Sequence, residues 1–295
     1  MSTGPISSGQ VYDLGYRGYT GELGGRGASI RAIWVASLRR SIGLRRGWRQ
    51  KVVPWLLLAV VSVPAIVQVG ISYVTRDSPN VDFHLITYRE YVGVSNALLL
   101  FVAVTAPDLL CPDRRQQVLP LLFSRPITGI DYIAAKTGAV AAVVFTFGFL
   151  PQCVLFVGNM LVSDGALDYF RGHLDVLWKV PLAVAALALF LSLVGTAVAS
   201  LTTRRVVAAA VFLGLGLFSS SVASALTTDG PSLAGLLNVF SLPLQVRDLI
   251  FLGRLAPDSK LTGVEGAGPA VLAAYLGVVA LACGVLYLRY RWVDR

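Results

Sequence analysis

An all-α integral membrane protein with six transmembrane helices is the fold class this sequence predicts, and three observations carry it. Of the 295 residues, 55% are hydrophobic and only 14% are charged, against about 25% charged in an average soluble domain. Mean hydropathy is +0.69. The apolar residues also gather into six runs of about twenty, the length that crosses a ~30 Å hydrocarbon core as helix. A soluble globule could not hide this much apolar side chain, and disordered chains are poor in such residues.

In chain order, residues 1–27 are rich in Gly, Tyr and Ser and predict an extended cytoplasmic tether. Residues 28–51 predict an amphipathic interface helix. Ile30, Ile33, Trp34 and Leu38 fall on one face at helical period, with Arg31, Arg39 and Arg40 off that face. The stripe degrades after Gly43, and a bend or end of the helix is expected there. A basic amphipathic helix just ahead of a span lies in the membrane interface, each basic residue adding about 1 kcal/mol of attraction to anionic lipid. Residues 52–295 predict one six-span domain, with spans at 52–74, 91–110, 133–162, 178–201, 206–226 and 269–287. Pro151 lies inside the third span, and Pro181 sits in the first turn of the fourth, where proline is tolerated.

The segment 232–253 is apolar and long enough to be a seventh span. Arg247 and Asp248 would then enter the bilayer, each at about 2.5–3.5 kcal/mol, and Pro243 breaks the run. Two short re-entrant helices buried against protein are expected instead, between the fifth and sixth spans. With six spans, the N-terminus, the second and fourth loops and the tail share one side and carry 18 of the 25 basic residues. That side is +12 and the other −3, so the basic side, with both termini, is expected to be cytoplasmic and the protein multi-pass in the cell membrane.

The three cysteines, Cys111, Cys153 and Cys283, lie in or beside apolar runs and predict small buried hydrophobes rather than a disulfide framework. His84 and His173 have no HExxH or Cys/His cluster near them, so no metal site is expected. No nucleic-acid motif accompanies the arginines.

The most informative stretch is 106–136, APDLLCPDRRQQVLPLLFSRPITGIDYIAAK, between the second and third spans. It packs Asp108, Asp113, Arg114, Arg115, Arg125, Asp131 and Lys136 around an apolar insert of Val118, Leu119, Leu121, Leu122 and Phe123. A plain connection needs no such apolar mass; a short amphipathic helix along the membrane face does. Ser124-Arg125-Pro126 predicts a turn, since Pro126 disfavours helix at Arg125. Asp131 then places a carboxylate at the start of the next helix. Asp108 is an acid near a span interior, expected to pair with Arg114 or Arg115 unless it serves a function.

With these features in order, the chain resembles the permease of an ABC exporter of the ABC-2 type: a basic amphipathic helix, the segment DRRQQVLPLLFSRPITGIDYIAAK after the second span, six spans, and a broken apolar segment before the last. The resemblance runs from Ala28 to the end, and it departs at Gln117-Val118-Leu119-Pro120 and at Thr128-Gly129. It implies an ATPase-coupling interface at Arg39, Arg40, Asp113, Arg114, Arg115, Arg125, Pro126 and Asp131. It also implies a translocation pathway built between two permease chains from the second and fifth spans, here from Ser95, Asn96, Phe101, Phe218, Ser220 and Ser224. The implied partners are two separate ABC ATPase subunits, a second permease chain (a copy or a close paralogue) and membrane lipids. The chain has no GxxxxGK[ST] phosphate loop, so it is not itself an enzyme: it binds no cofactor, and ATP and magnesium would belong to the ATPase partner. Rival readings are a protein that uses ATPase motion for signalling or force transmission, or a structural membrane protein without transport. A lipid-acting enzyme or an ion-coupled transporter would need clustered charges inside the spans, which the sequence lacks.

Overall fold

The computed structural model describes residues 24–44, 48–75, 87–92, 95–124, 126–163, 165–228 and 230–291. Every regular element among them is helical. Six helical segments are long and apolar enough to cross a membrane. They are α2 (Trp48–Val74), α4 (Ser95–Arg115) with the short α3 (Tyr88–Val92) ahead of it, α6 (Gly129–Val162), α8 (Leu174–Leu201), α9 (Arg205–Leu226) and α11 (Ala267–Tyr290). The remaining helices are α1 (Arg26–Ser41), α5 (Leu119–Leu122), α7 (Ala166–Gly172) and α10 (Leu242–Leu252). The His84 position and residues 1–23 lie outside the described residues.

The first helix ends at Ser41, close to Gly43 where the apolar stripe degrades, and does not fill the whole 28–51 segment. Gly43 takes a φ of 78°, and the Gly43 and Leu44 amides bond back to the Arg40 and Arg39 carbonyls. This left-handed closure satisfies the orphan carbonyls and stops α1 at Ser41. Trp48 then opens the first span. On α1, Ser29, Ser37 and Ser41 are buried, and Ile33 and Leu38 beside them are partly buried against the core. Small residues let α1 approach α6 closely, and the indole of Trp34 reaches Gly138.

The spans pack around α8 and α4, whose most apolar stretches are 67% and 62% buried, whereas α2 and α11 are peripheral at 17%. Close approach of α8 to α4 rests on Gly195, where an added Cβ would collide with Val102 and Phe212 lies 3.7 Å away. Gly158 serves the same purpose for α6 against Val69 of α2. Such small-residue contacts drive helix association where lipid removes any hydrophobic incentive. The 34 residues of α6 make about 51 Å of helix, longer than the ~30 Å apolar core, so α6 reaches beyond the core or tilts.

The segment 232–253 folds as two 3-10 turns, Leu233–Leu237 and Val239–Ser241, followed by α10, and packs on α8, α9 and α11. Pro243 does not break it; it sits in the first turn of α10 and starts the helix. Arg247 and Asp248 are buried yet paired: Asp248 Oδ1 accepts from Arg247 Nε at 2.9 Å and Nη2 at 2.7 Å, and from Arg89 Nε at 2.9 Å. This triad fastens α10 to α3 at the end of the molecule opposite α1.

Candidate functional site

The end of the bundle that carries α1 also gathers the C-termini of α4, α8 and α11 and the N-termini of α6 and α9. Local sequence sets each of these ends. α4 stops at Arg115 because Gln117 adopts a φ of 51°, with the Val118 amide bonding the Asp113 carbonyl and the Gln117 amide the Arg114 carbonyl. Four residues of α5 follow, with Leu119, Leu122 and Phe123 partly buried on the core. The amphipathic insert is thus a single turn. α6 then starts with a capping box: the Asp131 amide donates to Thr128 Oγ1 at 3.3 Å, and the Thr128 amide donates to Asp131 Oδ2 at 3.0 Å.

The same carboxylate receives α1. Arg26 Nε and Nη2 each donate to Asp131 at 2.9 Å, a two-pronged pair between the start of α1 and the start of α6. Asp131 in turn raises the Arg26 pKa above its ordinary value through this hydrogen bond and its charge. The end of α1 is held by a second, deeper set. Arg40 pairs with Asp108 at 3.7 Å and with Asp113 at 3.6 Å. Asp113 also accepts from the Tyr132 hydroxyl at 2.8 Å and from Lys136 Nζ. Lys136, 5% exposed, donates further to the Leu109 carbonyl at 2.7 Å. Asp108 pairs with Arg205 at the start of α9, and Arg114 donates to the Ser200 carbonyl near the end of α8.

The geometry corrects the expectation for Asp108, which meets Arg40 and Arg205 rather than Arg114 or Arg115. On one helix those two lie six and seven residues away, beyond the three- and four-residue spacing at which side chains meet. Of the sequence-derived coupling residues, Arg40 and Asp113 pair with each other, Asp131 is held by Arg26, and Arg114 by the Ser200 carbonyl. Arg39 and Arg115 are exposed beside them, Pro126 sits in an exposed bend, and Arg125 lies outside the described residues. The sequence reading passed over Arg26, Tyr132, Lys136 and Arg205 as site residues. Lys136 had a signal, being a cation inside an apolar helical run; Arg26 and Arg205 had none beyond charge.

Among the described residues no three metal-ligating side chains converge. Ion pairs at both ends of α1 tie it to α4 and α6, and through Asp108 to α9.

The pathway residues are divided. Asn96 of α4 and Ser220 of α9 line one groove of about 550 Å³, between α4, α8, α9 and the Val239–Ser241 turn. Phe101 does not: it is 1% exposed and packs on Phe147 in a tilted ring pair, centroids 5.1 Å apart, inside the chain's own core, because its face of α4 turns toward α6. Phe218 is 71% exposed on the outer face of α9 and is not part of the groove wall. Ser224 accepts from Lys260 Nζ at 2.6 Å. Ser95 is the first residue of α4, and its side chain lies outside the described set. Comparison with protein-family models and with curated proteins finds no match to this chain.

Proposed function

We propose that this chain is the permease subunit of an ATP-driven exporter of the ABC-2 type. It works as a dimer in the cell membrane, with both termini cytoplasmic and two separate ATPase subunits docked on the basic end. The observation that carries this reading is the double anchorage of α1, by Arg26 to Asp131 and by Arg40 to Asp108 and Asp113. A helix that merely lay in the interface would need no such fastening, whereas one that takes load from a motor would. In this reading Arg39 and Arg115, exposed at the ends of α1 and α4, present charge to the ATPase. ATP-driven closure displaces α1 and the α4–α6 elbow, and the groove carrying Asn96 and Ser220 changes shape with them. A conformational equilibrium shifts only through differential contacts, and this end is where the nucleotide-dependent partner would make them.

The test is charge reversal at Arg39 and Arg115 together. Both are exposed, so the fold is expected to survive. Loss of ATPase binding and stimulation supports the docking surface; retention of both refutes it.

A further inference from the structure

The groove between α4, α8 and α9 has two chemically distinct ends. Its volume, about 550 Å³, suits a single small amphiphile. Asn96 lies in the first turn of α4 and Ser220 in the last two turns of α9, so both stand near the end of the bundle opposite α1. Leu213 precedes Ser220 by seven residues, about 10 Å along the helix. With Leu187 and Leu191, near the midpoint of α8, it lines the deeper part. The polar side chains on the wall are unengaged: Asn96, Ser220 and Asn238 make no side-chain hydrogen bond among the described residues. The neighbouring serines of α9 differ. Ser219 donates to the Gly216 carbonyl at 3.1 Å, Ser221 donates to the Leu217 carbonyl at 2.8 Å, and Ser224 accepts from Lys260. Of these four serines, the one left free is the one on the groove wall. Among the described residues no charged side chain lines the groove, and Arg247, the cation of α10, is buried and held by Asp248.

We infer that this groove binds a neutral amphiphile, with an uncharged hydroxyl- or amide-bearing headgroup held by Asn96, Ser220 and Asn238 and one apolar chain laid against Leu187, Leu191 and Leu213. A free hydroxyl or amide facing hydrocarbon is costly, and hydrogen-bonding groups on the headgroup remove that cost. A charged headgroup would be desolvated here with no counter-charge on the wall. The order of polar and apolar residues sets the pose, with the head toward the end opposite α1 and the chain toward the middle of the bundle. Binding follows from the groove alone; that the bound amphiphile is the cargo rests on the exporter reading.

The experiment uses the full chain in phosphatidylcholine nanodiscs, titrated with radiolabelled monolauroylglycerol, with empty discs as background. Saturable binding is expected. Dodecyl phosphate and dodecyltrimethylammonium share the chain length and differ in head charge, and each should compete about tenfold more weakly than unlabelled monolauroylglycerol. Asn96→Leu and Ser220→Ala should each weaken binding about threefold to tenfold, the value of one hydrogen bond. Ser221→Ala, whose hydroxyl bonds its own helix away from the wall, should leave it unchanged. Leu213→Trp fills the apolar end and should abolish saturable binding; should that variant fail to fold, Asn96→Leu and Ser220→Ala still decide. Wild-type affinity in both of those variants overturns the headgroup assignment, and equal competition by either charged amphiphile overturns its neutrality. No saturable binding to the wild type overturns the site. Binding to discs with one chain that is lost in discs with two would put a second copy in the groove and overturn the amphiphile. Because the assay contains no ATPase, binding that holds for a chain from which no ATPase is ever recovered removes the exporter reading and leaves the site standing.

Discussion

Replacing Lys136 by methionine is the sharpest probe of the junction. Lys136 is 5% exposed, and its ammonium meets Asp113 and the Leu109 carbonyl. Breaking a buried pair from one side typically costs about 3–5 kcal/mol, because the remaining charge is stranded. Here Asp113 keeps the Tyr132 hydroxyl at 2.8 Å and Arg40 at 3.6 Å, and its side chain is 14% exposed. The low end, about 3 kcal/mol, is therefore expected. Asp113→Asn leaves the Lys136 ammonium with the Leu109 carbonyl as its hydrogen-bond acceptor and should cost about as much. The double variant removes both charges, so its cost should fall at least about 2 kcal/mol short of the sum, within the coupling range of residues in contact. Equilibrium unfolding of the four proteins in mixed micelles reads all three quantities. Additive costs, or single costs under about 0.5 kcal/mol, the level of an ordinary surface change, would refute the buried pair.

Other consequences follow from the packing and caps. Gly195→Leu should drive α8 from α4 and cost several times the ~1 kcal/mol of an exposed helical glycine change, with loss of monodisperse protein on size exclusion. Asp131→Ala removes a capping box and the Arg26 anchor; about 1 kcal/mol is expected from the cap, together with faster amide exchange in α1 and the first turn of α6. Asp248→Asn should loosen α10 from α3, read as increased proteolysis in 232–266 while the α1 end stays protected. Ser220→Leu, at the groove wall, should leave the melting temperature within the range of a surface change, about 0.5 kcal/mol, yet alter substrate-stimulated ATPase activity of the assembled complex.

Much of the fold was legible because membrane spans are written in one dimension. Five of the six apolar runs became single helices within a few residues of their expected limits, and the second falls on α3 and α4, since unsatisfied backbone is so costly in lipid that length and hydropathy nearly decide the element. Pro243 was misread because a proline in an apolar run looks like a break, whereas the first turn of a helix accepts it. The burial of Ser29, Ser37 and Ser41 in α1 was not legible, because small polar residues leave no mark in a hydrophobicity pattern. The candidate site was half legible. Asp113 and Asp131 stood out by composition, but their partners Lys136, Arg40 and Arg26 lie 23, 73 and 105 positions away, and only the packing of α1 over α4 and α6 brings them together. Phe101 could not be sorted from the sequence, because a phenylalanine in a span reads alike whether it faces a neighbouring helix or a cavity.

The account rests on the basic end being the seat of a motor. The most direct test is affinity isolation of the full chain from its native membrane in mild detergent, followed by identification and stoichiometry of what comes with it. A soluble ATPase with a phosphate loop, in equal number to this chain and released when Arg39 and Arg115 are reversed to glutamate, is the predicted result. Recovery of the intact, folded chain with no ATPase, under conditions that keep other such complexes together, would contradict it.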